Sequence, residues 1–421
     1  MSNKQEKHWH RNNIRKFQSG FRQLIASFHL PIILSIFSLV VISVVKSNAQ
    51  SSVDFNGYIK ELSMYYKPVN PMPVSETKSL DDLFLNQFHN RLNFKWYANS
   101  NLTFAVEARN RLFFGQMIKD FPEYKNMIES DNGLLDMGTV LASGGGWFMH
   151  SMIDRAWVDY TNGKLQFRLG RQRINWGTNL VWNPNDVFNT FSYFDFDYEE
   201  RPGTDGIRMQ YYTSETSSAE LVYKIGRKDS SETAIAGMYR FSKFDYDIQF
   251  MGGWVGPDYV LGGGWSGDIK GGGFRGEATW FKPRNNNDPE NFETFVASVS
   301  GDYTFRSSLY VHAAVLFNSH GTTGDAGGRS FFASNLSAKM LSFGRYNLFA
   351  QSSYPFTPLF SGNISAMLNP CDGSSYIGPS LTYSIGNNWE VMLNGQLFLG
   401  RAGTEYGDYG QAFFARIKWS F

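Results

Sequence analysis

The chain has 421 residues, of which 42% are hydrophobic and 17% aromatic, with a formal net charge of +1. A bundle of membrane helices would need several apolar runs of ~20 residues, and one comparable run exists, near the N-terminus. The single Cys371 excludes a disulfide-stapled fold, and abundant aromatics with little net charge exclude disorder, which leaves a large β-rich protein, soluble or barrel.

Residues 1–30 carry Lys4, Lys7, Arg11, Arg15, Lys16 and Arg22 against Glu6, and the apolar run Pro31 to Val45 precedes Lys46-Ser47-Asn48-Ala49. This order of basic stretch, short apolar core and small-x-small site predicts a signal peptide over 1–49, cleaved after Ala49, and a mature barrel over 50–421. Cleavage removes seven Lys/Arg and one Glu, leaving 32 bases and 37 acids, a net charge of −5. No nucleic-acid partner is expected of that balance.

From Val53 onward, runs of about 10–12 residues alternate apolar and polar, the period of a strand with two unlike faces. Leu102, Phe104, Val106 and Ala108 share one face, with Thr103, Ala105, Glu107, Arg109 and Arg111 opposite. Trp389, Val391, Leu393, Gly395, Leu397 and Leu399 oppose Glu390, Asn394 and Gln396, a polar row that Met392 and Phe398 interrupt. In the last run Phe413, Ala415, Ile417, Trp419 and Phe421 oppose Arg416 and Lys418. Soluble strands run to ~5–6 residues, whereas a tilted bilayer crossing takes ~9–11, so the length favours a barrel in lipid.

Short links are expected near 99–101, 161–163, 214–216, 242–243, 266–268, 305–307, 354–357 and 386–388. Longer ones are expected at 67–80, 114–150, 174–203, 283–291, 318–335 and 401–408. Placing the short set in the periplasm gives an all-β chain, a single transmembrane antiparallel β-barrel of about 18 strands. The count falls to 16 if the glycine-rich stretch 244–282 holds fewer crossings. The locality implied is the outer membrane of a Gram-negative bacterium, with outer-membrane lipid around the barrel. C-terminal Phe421, on an alternating strand, suits recognition by the barrel-assembly machinery.

If the apolar faces meet lipid, the other faces line a lumen. Pore-lining candidates are Arg91, Lys95, Glu107, Arg109, Arg155, Arg168, Arg208 and Lys224, beside His89, Asn93, Arg111, Asp159, Gln166, Gln210 and Glu220. Guanidinium rows in a narrow channel attract anions; the alternative is a lattice in which each Arg is balanced by a neighbouring acid. The stretch 174–203 is too aromatic to lie in water and is expected to fold into the mouth as a constriction. Its candidate residues are Trp182, Asp186, Phe191, Asp195, Asp197 and Glu199. Asp195, Asp197 and Glu199 lack a calcium-loop frame and read better as solvated or Arg-paired than as a metal site. Ser308 and His312 share a face but lack an orienting third group, so catalysis, cofactor and metal are not expected.

The segment Leu169-Gly170-Arg171-Gln172-Arg173-Ile174-Asn175-Trp176-Gly177, with Asp205-Gly206-Ile207-Arg208, resembles the porin-like outer-membrane barrels that include the alginate-export type. The resemblance is specific over 151–213 and architectural elsewhere. It implies an 18-stranded diffusion channel with Arg168 and Arg208 on an interior basic track, while Glu107, Asp159 and Glu220 depart from a purely basic lumen. The expected function is passive diffusion of small or oligomeric polar solutes, anionic ones included if the basic rows prevail. Two alternatives stand beside it: a closed surface barrel acting as adhesin or receptor, and a barrel hydrolase of lipid or polysaccharide.

Overall fold

The computed structural model describes residues 52–421 apart from 76–77, 130, 132, 227–231, 286–290 and 328–336, so the expected signal peptide lies outside the described residues. Eighteen long strands form the wall. They are β1 Val53–Lys67, β2 Leu83–Tyr97, β3 Leu102–Phe114, β4 Trp147–Asn162, β5 Leu165–Gln172 and β6 Thr204–Tyr212. Next come β7 Ser218–Lys224, β8 Ala234–Lys243, β9 Tyr246–Val255, β10 Asp258–Ile269, β11 Gly272–Pro283 and β12 Thr294–Thr304. The last six are β13 Tyr310–Asn318, β14 Tyr346–Thr357, β15 Phe360–Asn369, β16 Ser374–Gly386, β17 Trp389–Leu399 and β18 Gln411–Ser420.

Each strand pairs antiparallel with its neighbours in chain order. β18 closes on β1 in register from Tyr58 opposite Ser420 to Lys67 opposite Gln411. Gly57 and Phe421 exchange both backbone hydrogen bonds at 3.0 Å, so no edge is left open at the seam. The fold is a closed, antiparallel, 18-stranded barrel, and the glycine-rich stretch supplies its full complement of crossings.

The period-2 pattern is what sorts the two faces. Along β17, Trp389, Leu393 and Leu399 are exposed on the outside, while Met392, Gln396 and Phe398 are buried inside. The same division gives an outer face of Phe250, Leu261, Val299, Val315, Ile364 and Leu381 at mid-strand, with Tyr160, Tyr211 and Tyr346 toward the rims. An apolar band with aromatics at its margins is the surface a bilayer requires of a barrel.

Both ends of the barrel chain lie at the rim with the short turns. Three of those turns fall later than the sequence suggests. β8 runs through Lys243, and Phe244 and Asp245 make the turn with both φ positive (55° and 63°). Lys270 and Gly271 repeat that geometry (54° and 84°). Mirror-image turns follow strand twist and are usually marked by Asn-Gly, so Phe-Asp and Lys-Gly hide them. β14 likewise continues to Thr357, with a register shift between Pro355 and Thr357 that accommodates the proline.

The opposite rim carries the long connections. Segment 68–82 holds a hairpin of Met72–Ser75 with Lys78–Leu80. Segment 115–146 holds the short helices α1 Gln116–Asp120 and α2 Tyr124–Glu129 and a strand Gly138–Gly144 added to β4. Among the described residues no helix is long and apolar enough to cross a membrane.

Candidate functional site

The connection 173–203 folds into the lumen, as its aromatic content predicts. Its neck is a clip. Arg171 on β5 forks Asp205 on β6, Nε to Oδ1 at 2.7 Å and Nη2 to Oδ2 at 2.9 Å. Its Nη1 reaches Asp131 of the preceding long connection at 2.7 Å. Two planar, parallel bonds fix the separation of the strands from which the loop departs. Gly170, at φ 118°, is required there, since a Cβ would meet the Ala156 carbonyl at 2.2 Å.

From the neck, contacts advance round the wall, apart from a fold-back at 185–189. Trp176 Nε1 donates to Glu220 on β7 at 2.7 Å, and its carbonyl accepts from Gln249 on β9 at 2.6 Å. Glu277 on β11 then takes the N–H groups of Thr178, Asn179 (2.7 Å) and Asn185 (3.0 Å) and the Thr178 hydroxyl (3.0 Å). Asn185 presses so close to β10 that Cβ atoms on Gly262 and Gly264 would stand 2.8 and 3.1 Å from its amide. The glycines that weaken β10 by propensity make room for the loop. Trp182 and Tyr193 meet Phe349 on β14 edge-on, and Phe194 meets Tyr376 on β16 and Phe398 on β17. Met392 and Phe398, which interrupt an otherwise polar row, therefore face the lumen, and Phe398 packs against this loop. A cavity of about 30 Å³, room for one water, lies among Val181, Trp182, Tyr193, Phe194, Met367 and Tyr406.

Beyond Phe194 the partners become ionic. Asp197 pairs with Lys60 on β1 at 2.8 Å, and Glu199 with Lys418 on β18 at 2.9 Å and with Arg416 at 3.3 Å. Glu200 lies 3.5 Å from Arg91 on β2, and Tyr198 lies under the Arg109 guanidinium, 4.1 Å from its ring centre. Arg155 donates to the Glu200 and Arg201 carbonyls. Asp195 is exposed, Glu199 retains 43% of its side-chain exposure, and Phe191 lies beneath Arg201. Asp186 is the exception: it is fully buried, and no side chain hydrogen-bonds its carboxylate among the described residues. Burial pushes its carboxyl up to about 7, against the opposing pull of Arg173.

The wall candidates share the inward face and largely neutralise one another. Arg91, fully buried, bonds Glu107 at 2.5 Å and Asp154 at 2.6 Å. Arg168 bonds Asp159 at 2.8 Å and stacks over Trp157, and Arg208 bonds Gln210 at 2.7 Å and lies 3.6 Å from Glu220. Arg109 and Arg155 make looser pairs, at 3.5 Å with Asp154 and 3.7 Å with Glu107. Lys95 and Lys224 lie on the inward faces of β2 and β7, partly exposed. The lattice alternative therefore describes Arg91, Arg168 and Arg208. The acids of 195–199 are committed at Asp197 and Glu199 to wall bases. Sequence reasoning missed Lys60, Arg416, Lys418 and Glu277 as site residues. Arg416 and Lys418 carried a signal in the final alternation, whereas Glu277 had only its parity within a glycine-rich strand.

Ser308 lies in the turn after β12, and neither ring nitrogen of His312 is hydrogen-bonded among the described residues, so the two form no catalytic pair. His312 sits against Phe349, 5.3 Å between ring centres.

A closed barrel of this size with an inserted loop is the outer-membrane type of architecture. The structure is similar to Acinetobacter baumannii OccAB4, at 9% sequence identity over 89% of this chain and 100% of that one, with a TM-score of 0.56. It is similar to Pseudomonas aeruginosa OccK9 (OpdG), at 10% identity over 88% and 97% of the two chains and a TM-score of 0.56. The outer membrane protein opdK from Pseudomonas aeruginosa matches at 9% identity over 87% and 99%, with a TM-score of 0.52. At such identities the likeness is one of fold. No protein-family model and no curated protein matches the sequence.

Proposed function

We propose that this protein is a porin-like diffusion channel of a Gram-negative outer membrane, passing small polar solutes through a lumen narrowed by the 173–203 loop. The observation that carries the reading is the course of that loop. Its contacts follow the circumference from β7 to β4 instead of crossing the axis, and Asp195 and Glu199 keep exposed atoms. A loop anchored this way acts as an annulus. The similarity to the outer membrane protein opdK supports the locality.

Residues 1–49 serve as the cleaved export signal, the barrel begins after them, and Phe421 is the handle for barrel assembly. The alginate-export-type relation rests on the Gly170-Arg171-Gln172 and Asp205-Gly206 elements, whose clip would serve any channel with a long loop here. Paired charges along the wall favour weak ionic selectivity over a strongly anionic path. Single-channel recording of the refolded protein tests the reading. Discrete conductance steps are expected, and a silent bilayer would move the assignment to a closed surface barrel.

A further inference from the structure

One register row crosses the wall beneath the end of the loop. Lys418 stands opposite Lys60, Lys60 opposite His89, His89 opposite Arg111, and Arg111 opposite His150. All five side chains share the inward face, and the row splits into halves. The loop carboxylates reach Lys418 and Lys60, at 2.9 and 2.8 Å. No carboxylate bonds Arg111 among the described residues. Its guanidinium meets His150 Nδ1 at 3.3 Å and lies over the Phe113 ring, its Nε is unbonded, and so are both ring nitrogens of His89.

Segment 195–200 therefore resembles a ligand more than a spacer. It lays alternating groups on the wall: Asp197 on Lys60, Glu199 on Lys418 and Arg416, Phe196 edge-on to Phe414 at 4.8 Å, and Tyr198 under Arg109. An acidic segment tethered to its own receptor has a millimolar effective concentration, so a monovalent anion competes poorly. An oligoanion that lands on Arg111 holds its next charge beside Lys60 and competes for the row as a chain.

We propose that the stretch Asp195–Glu200 is an intramolecular ligand of the Lys418–Lys60–His89–Arg111–His150 row, displaced by oligoanionic solutes that enter at Arg111, which no carboxylate bonds among the described residues. This rests on the channel reading and adds to it the class of solute that moves the annulus.

The test places a reporter under the strap. In refolded full-length protein, Phe196→Cys in a Cys371→Ser background gives a single thiol, sheltered by Phe414. Its reaction with a neutral maleimide is timed with and without hexaglutamate or tripolyphosphate, with conductance recorded on the same preparation. A rise of about tenfold with the oligoanions, and little change with hexalysine or chloride, is expected if displacement dominates. Response to hexaglutamate alone would assign the row to carboxylates, and response to tripolyphosphate alone to phosphates. Unchanged reactivity in a conducting channel overturns the proposal and leaves the channel standing. Absent conductance overturns the channel reading. If Phe196→Cys fails to fold, amide hydrogen exchange of 195–200 in the unaltered chain decides the same question.

Discussion

The lumen has two unlike arcs. From β18 through β7 the inward face carries Arg416, Lys418, Lys60, Arg91, Arg109, Arg155, Arg168 and Arg208, interleaved with Glu107, Asp154, Asp159 and Glu220. From β8 through β17 it is mostly small or apolar, with Ala236, Met251, Val260, Val296, Ala314, Leu316, Phe349 and Met367 buried there. Charges on this second arc are few, and two of them, Arg275 and Asp302, pair with each other. The inserted loop matches both. Its first half, rich in Trp176, Val181, Trp182, Phe188 and Phe194, rests on the neutral arc, and its acidic second half rests on the charged one. The loop thus adopts a course set by complementarity to the wall, apolar on apolar and acid on base.

That contrast can be broken at several points. The largest effect is expected from Arg91→Ala on the charged arc, which leaves Asp154 and Glu107 only their looser pairs with Arg109 and Arg155 around an emptied site. A loss on the order of 3 kcal/mol is expected, visible as a lower unfolding midpoint in denaturant with detergent present. On the neutral arc, Glu277→Ala removes the acceptor for three backbone N–H groups and a hydroxyl, an effect of about 2 kcal/mol confined to 177–186. Hydrogen exchange should localise it there, whereas a uniform loss of protection would place the anchor elsewhere.

Acidity offers a gentler probe. The Asp186 carboxyl is raised to about 7 from an ordinary 3.8, so the folded loop holds its proton more tightly than an unfolded one. Stability from this group is complete below pH ~4 and declines as pH rises through about 7. The loop should be less protected at pH 8 than at pH 5, and Asp186→Asn should flatten that dependence. The smallest effect concerns selectivity. Arg168→Glu with Arg208→Glu overturns two paired bases, and reversal potential in a salt gradient should move toward cations by a few millivolts, about what a screened lumen permits. No movement would mean that the lattice hides these groups from passing ions.

Much of this was readable in advance. Inward parity assigned Arg91, Glu107, Arg109, Arg168 and Arg208 to the lumen because a strand's side chains alternate without exception unless a bulge intervenes. The loop's inward fold followed from the cost of leaving eight aromatic side chains in water. Pairing was less legible. Arg91 and Asp154 are 63 positions apart, Lys418 and Glu199 219 apart, and neither carries a local mark of the other.

Alternation along the strands determined the barrel, its two faces and its approximate strand number, because a period of two is a local property of the backbone. Which acid meets which base, where 173–203 travels, and why Gly262 and Gly264 are glycines were decided only when closure brought distant strands to face one another. The physical reason is that a charge or a close contact depends on distance in space, and chain order fixes that distance only between near neighbours in sequence.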